Sequence, residues 1–155
     1  MKRLLVPAAA AAAVVLVFAV VNAMAGGSRT KVGGTIHVIE HATTDAVTNG
    51  SPNADAAGNI LTFANDVYDS ADVHKVGSDQ GYCVRTVVGA SWECNWTTFL
   101  AGGQITVEGP FSDTGDTVVA ITGGTGAYRN ARGSMELKYH NPAGTEFDFV
   151  FNLIG

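Results

Sequence analysis

The sequence predicts an all-β protein, a closed eight-stranded antiparallel barrel, and three observations point there. After the first 25 residues no window carries apolar residues at helical spacing, whereas runs of period two recur throughout. Glycine-rich turns separate those runs, glycine being 19 of the 155 residues. Eight short strands, each with one apolar face, bury those faces and lose their open edges by closing into a barrel. A two-sheet sandwich would give the same alternation, so periodicity leaves that choice open.

The elements follow in chain order. Residues 1–25 read as a secretory signal peptide: Lys2 and Arg3, an apolar run from Leu4 to Val21, then Ala23-Met24-Ala25 as a small-x-small cleavage site. An uncleaved run would be a membrane anchor near the lower length limit, but Pro7, the alanine run and the Ala-x-Ala site favour cleavage. The expectation is an exported protein, secreted or periplasmic, with no stable membrane anchor. Residues 26–33 read as a flexible lead-in and 34–155 as the domain. Ile36 and Val38 alternate with Thr35 and His37. Leu61, Phe63 and Val67 form the next row, then Tyr82–Val88, and then Trp92, Cys94, Trp96 and Thr98. Ile105 with Val107, Thr117–Thr122, Met135 with Leu137 and Tyr139, and Phe147 through Leu153 complete eight. Residues 42–58 lack strand pattern, and a connection of that length is either a lid over the barrel mouth or an insert.

Charge excludes one class of function. Removing Lys2 and Arg3 from the 9 Lys and Arg leaves 7 against 14 Asp and Glu, a formal charge of −7. An acidic domain does not neutralise phosphates, so no nucleic-acid partner is expected. Nothing after Ala25 approaches the ~20 apolar residues of a membrane span.

Few residues suggest chemistry. If Thr86 pairs with Ser91, Cys83 stands opposite Cys94, and export favours a disulfide between them over two free thiols. No metal site is expected, because His37 and His41 share a strand face yet sit roughly 13 Å apart at ~3.3 Å per residue. Gly123-Gly124-Thr125-Gly126 lacks the lysine of a phosphate loop and reads as a tight turn. Glu40 shares the parity of Ile36 and Val38 and so points at the apolar face. Two readings fit it: a desolvated general acid or base, or a rim carboxylate paired with Arg85 or Arg132.

Several segments carry a resemblance. Residues 58–72, then Val76-Gly77 and Gly81-Tyr82-Cys83-Val84, resemble the corresponding stretch of plant allene oxide cyclases. Val107-Glu108-Gly109-Pro110-Phe111 and residues 120–128 do so too. Continued through Ala131-Arg132-Gly133, the latter segment is equally similar to the dirigent proteins. The resemblance implies an eight-stranded barrel, commonly trimeric, with an elongated apolar cavity and no cofactor. Matched position by position, it gives Glu40 the place of the cyclase glutamate and Asn65 that of a water-holding asparagine. Phe63, Cys83, Phe111 and Ser51-Pro52 fall in the cavity set, and Arg132 matches the dirigent arginine. Ala42 stands where the cyclases carry a polar asparagine, Phe111 replaces a tyrosine, and Ala127 falls where dirigent proteins often have an aspartate. The function implied is a cyclase or stereochemical guide for a small hydrophobic molecule. The alternative is a non-catalytic carrier of an apolar ligand.

Overall fold

The computed structural model describes residues 33–48 and 54–154. The leader, the lead-in through residue 32, Ser51 and Pro52 lie outside the described residues. Ten strands are seen: β1 Gly34–His41, β2 Ala46–Thr48, β3 Ile60–Phe63, β4 Asp66–Asp69, β5 Lys75–Val87, β6 Ser91–Leu100, β7 Gly103–Ser112, β8 Thr117–Gly124, β9 Arg132–Tyr139 and β10 Glu146–Ile154. All pairings are antiparallel, from β1 through β10, β9, β8 and β7 to β6. There β6 pairs with β5, which returns to β1 through β4. The ladder closes on itself, which decides for the barrel over the sandwich.

The ten strands fill eight barrel positions. β1 and β4 pair with each other, as do β2 and β3, while β3 and β4 both pair with β5. β1 and β2 are thus one position interrupted at residues 42–45, and β3 and β4 another interrupted at Ala64 and Asn65. The sequence treats 42–58 as patternless, yet Ala46–Thr48 pair with β3 inside it. All three are exposed, so no apolar alternation marks them. The second difference is β5, which begins at Lys75 rather than near Tyr82. Its early inward positions are Gly77, Asp79 and Gly81, which give no hydrophobic signal.

Inward rows follow the predicted parity. Met135 and Phe151 are register partners, both fully buried, and pack with Ile105, Val107, Ile121 and Ala131 to fill one end of the barrel. Phe151 sets its ring edge-on to Phe149, at 6.3 Å between centroids. Towards the other end, where β1 finishes and β10 begins, the interior opens into a cavity. Gly123 and Gly124 end β8, and Gly126, at φ +60°, starts the single 3-10 turn Gly126–Tyr128.

Cys83 and Cys94 are register partners and are bonded, which overturns the free-thiol reading. The hairpin beyond them differs from expectation: Val87, not Thr86, pairs with Ser91, after a bulge between Arg85 and Val87. The bulge lies on the turn side of the disulfide and leaves the cysteine register unchanged. Closing a loop of this length restricts the unfolded chain by about 2–3 kcal/mol. Reduction of the folded protein should therefore lower its stability by that amount, read as a lower urea midpoint with an intact far-ultraviolet β-sheet spectrum below the transition.

Candidate active site

The site begins where two strands break side by side. Asn65 interrupts the β3/β4 position and is buried. Its Oδ1 accepts from the Thr43 and Thr44 amides, both at 3.0 Å, and from the Thr44 hydroxyl at 2.9 Å. Its Nδ2 donates to Glu40 Oε1 at 2.8 Å and to Asp45 Oδ1 at 2.9 Å. An amide has two hydrogens and two lone pairs, so this one is fully used. The water-holding role implied for Asn65 therefore gives way to another: it fastens the break in β1/β2 to the break in β3/β4 and sets two carboxyl groups. Its backbone bonds reciprocally with Asp79 on β5, Asp79 N–H to Asn65 O at 2.9 Å and Asn65 N–H to Asp79 O at 3.1 Å. Asn65 N–H also reaches Asp79 Oδ1 at 3.2 Å.

Glu40 and Asp79 thereby meet inside the barrel, 6% and 2% exposed, figures that exclude a solvated rim carboxylate. Nor does Glu40 pair with either arginine. Arg85 forms ion pairs with Asp113 and Asp55 and lies over the Trp92 ring. Burial pushes the Glu40 carboxyl well above its usual range; the Asp79 charge, a hydrogen bond to Asp79 and the Asp45 charge push the same way, and the Asn65 amide opposes them. Burial likewise raises Asp79 from 3.8 to about 7, against hydrogen bonds from Glu40 and Asn65 that lower it. Two carboxyl groups in contact cannot both ionise cheaply. Both groups are therefore pushed towards the protonated form, Glu40 the more strongly.

Among the described residues, Glu40 and Asp45 are the only ionisable groups in the cavity lining, which also includes Leu61, Phe63, Trp96, Phe111, Phe147, Phe149 and the Cys83–Cys94 disulfide. Trp96 packs between Phe63, at 6.4 Å edge-on, and Phe149, at 5.8 Å. It stands opposite Gly81, where an added Cβ would lie 2.2 Å from the Trp96 Cβ, so glycine is required for the two strands to hold the indole here. About 50 Å³ is open to the centres of water-sized molecules, room for roughly three to five waters at ~10–15 Å³ each. A compact ligand fits such a space.

Among the residues singled out from sequence, the structure gathers Glu40, Asn65, Phe63, Cys83 and Phe111 at this end. Pro52 lies outside the described residues. Arg132 is not among the lining residues. It starts β9 opposite Ile154, at the filled end, is exposed, and donates to the backbone oxygens of Thr122 and Ala131. Sequence reasoning missed Asp79 and Asp45. Counting back by twos from Cys83 would have reached Asp79; Asp45 follows β1 in a stretch with no alternation to extend. The histidines lie elsewhere, each facing an aspartate: His37 and His140 on Asp148, His41 on Asp72, His74 on Asp69. His41, Asp72 and Glu146 bring one ligand atom each within 4.8 Å of the others, outside the cavity lining.

A family model for allene oxide cyclase matches residues 39–150, most of the described barrel. The chain belongs to the allene oxide cyclase family. Among solved structures, a pyocyanin demethylase is similar, with 24% identity and a TM-score of 0.65 over 76% of this chain and 100% of that one. The pterocarpan synthase dirigent protein PsPTS1 shares 17% identity at a TM-score of 0.62, over 79% of this chain and 96% of its own. The Diels Alderase AbmU from Streptomyces koyangensis shares 14% at 0.58, over 84% and 72%. At these identities the likeness is one of fold.

The raised affinity of Asp79 for its proton has a consequence for stability in this member of the family. Between an ordinary 3.8 and about 7 the folded state keeps a proton that the unfolded chain has released. Folding stability therefore falls as pH rises through that window and is level above it. Asp79→Asn removes the loss: it should match the parent near pH 4 and exceed it by about 2–4 kcal/mol above pH 7, a tenfold change in proton affinity being worth ~1.4 kcal/mol. Urea unfolding at pH 4 and pH 8 reads the difference.

Proposed function

We propose that the barrel binds a small, largely hydrophobic substrate and guides its stereoselective cyclisation or coupling, with Glu40 as general acid. The observation that carries this is a buried carboxyl group, held by Asn65 and pushed towards its protonated form, facing a cavity walled, apart from the exposed Asp45, by rings, alkyl groups and the disulfide. In so apolar a space the carboxyl keeps its proton near neutral pH and so has one to deliver as charge develops on the substrate. The walls limit the substrate to few foldings, the proximity and orientation effect. The Glu40 proton passes to a basic atom of the substrate as a bond there breaks or charge develops. The Asn65 amide steadies the carboxylate left behind, and the proton returns when the product forms. Transfer is easiest with Asp79 neutral, since its charge would hold the proton on Glu40. Asp45 lies at the same end and is more exposed. Two neighbours of this fold are described as a Diels Alderase and as a cyclase catalysing a [4 + 2] cycloaddition, and two others as pterocarpan synthase dirigent proteins. Ring-forming chemistry in such a barrel is thus a supported choice for this chain.

We also propose that the protein works after export, as the leader pattern and the disulfide suggest, and as a homotrimer, which light scattering would test. Neither is needed for the assignment of Glu40.

The test is chiral chromatography of the ring product formed when an allene oxide methyl ester, which carries no charge, is generated with the protein. The expected result is an excess of one enantiomer and a rate that declines as pH rises past about 7, where Asp79 ionises. Glu40→Gln should fold normally and lose about 10²–10⁴ in rate, the usual range for general acid catalysis. Unchanged rate and stereoselectivity in that variant would end the catalytic reading. A racemic product, with a stoichiometric small molecule retained through purification, would favour the carrier.

A further inference from the structure

The cavity's charge is one-signed. Its two ionisable lining residues, Glu40 and Asp45, are both acidic, Glu40 held towards its neutral form by burial and Asp45 exposed, and no Lys, Arg or His lines it among the described residues. Three basic groups elsewhere in the barrel are already committed. Arg85, only 8% exposed, meets Asp113 at 2.6 Å and Asp55 at 2.7 Å, two carboxyl groups for one guanidinium. Arg132 is at the filled end and Lys75 is paired with Asp66 at 2.6 Å. An anionic ligand would thus enter a space with no countercharge and with the Asp45 carboxyl in its wall.

The rest of the lining favours the opposite sign. Phe63, Trp96, Phe111, Phe147 and Phe149 surround the same small volume. Aromatic rings attract cations through the negative potential of their faces, tryptophan most strongly, and the attraction grows where water is excluded. Rings with an acidic side chain at the edge are the chemistry that recognises an organic ammonium or an N-alkylated heteroaromatic ring. The volume suits a compact molecule.

We infer that the ligand of this cavity is cationic, a small aromatic or heteroaromatic amine or its N-alkylated form, with Asp45 as the residue that selects its charge. The inference rests on the reading of this cavity as a ligand site and departs from the fatty-acid-derived substrate implied by the sequence resemblance. Asp45 suits the role by position. Its Oδ1 accepts from Asn65 Nδ2 at 2.9 Å, which fixes it at the cavity edge without neutralising it.

Three bicyclic probes of similar size separate charge from shape: N-methylquinolinium, quinoline (uncharged at pH 7.5) and 2-naphthoate. Isothermal titration of the protein at pH 7.5 should give N-methylquinolinium a Kd at least about tenfold below that of quinoline, with 2-naphthoate weakest. Asp45→Asn keeps an oxygen for the Asn65 amide and so preserves the fold. It should cut the cation's advantage to about threefold or less and leave quinoline unchanged. Equal binding of cation and neutral probe, tighter binding of 2-naphthoate, no effect of Asp45→Asn on the cation, or no binding of any probe would each overturn the inference. The Glu40 role is judged separately, because the ring-closure assay uses an uncharged ester and reads a rate.

Discussion

One side-chain amide holds the working end of this barrel together. Two adjacent strand positions break at the same level, at residues 42–45 and at Ala64 and Asn65, and broken ladders leave buried backbone groups that must be satisfied. The Asn65 carbonyl takes up the Thr43 and Thr44 amides, and the Thr44 hydroxyl takes up the Ala64 amide at 2.8 Å. With the carbonyl occupied by the backbone of one strand, the amino group is left for two acceptors, and Glu40 and Asp45 supply them. The position of Glu40 is thus a by-product of closing the barrel across a gap. Any residue unable both to accept and to donate at 65 would unfasten the gap and release the carboxyl groups together.

The same end carries an unfavourable electrostatic feature. Glu40 and Asp79 are buried in contact without a cation, and Asp79 Oδ2 has no hydrogen-bond partner among the described residues. Such a pair costs stability and is sustained by structure elsewhere: the apolar packing of the filled end, the disulfide across β5 and β6, and the Arg85 cluster with Asp55, Asp113 and Trp92. Perturbed carboxyl groups concentrate at functional sites for this reason, since acid chemistry near neutral pH needs a proton held in that range. The hollow end and the filled end are therefore complementary in energy as well as in shape.

How much was legible in the sequence varies by element. Strands with a row of large apolar residues, such as Phe147, Phe149 and Phe151 in β10, were plain from alternation. The first half of β5 was not, because Gly77, Asp79 and Gly81 face inward and two of them have no side chain. Those glycines serve close approach: a Cβ at Gly77 would lie 2.1 Å from the Phe99 oxygen. The strand that supplies the second acid is thus the one whose pattern is weakest. β2 was missed because its residues are exposed and it exists only to cover the edge of β3.

The sequence by itself determined the strand class, the inward parity of Glu40 and the acidic balance, and it favoured a bond between Cys83 and Cys94. Each depends on spacing along one strand, one hairpin or a count of charges. Only the tertiary structure decided that Asp79 touches Glu40, that Asn65 is saturated, that Arg132 stands at the filled end and that the cavity lacks a basic group. Parity tells which face of a strand a side chain occupies. Which residues from different strands share a level depends on register and strand breaks around the closed barrel, and hydrogen bonds between distant segments fix those only once the ring has formed.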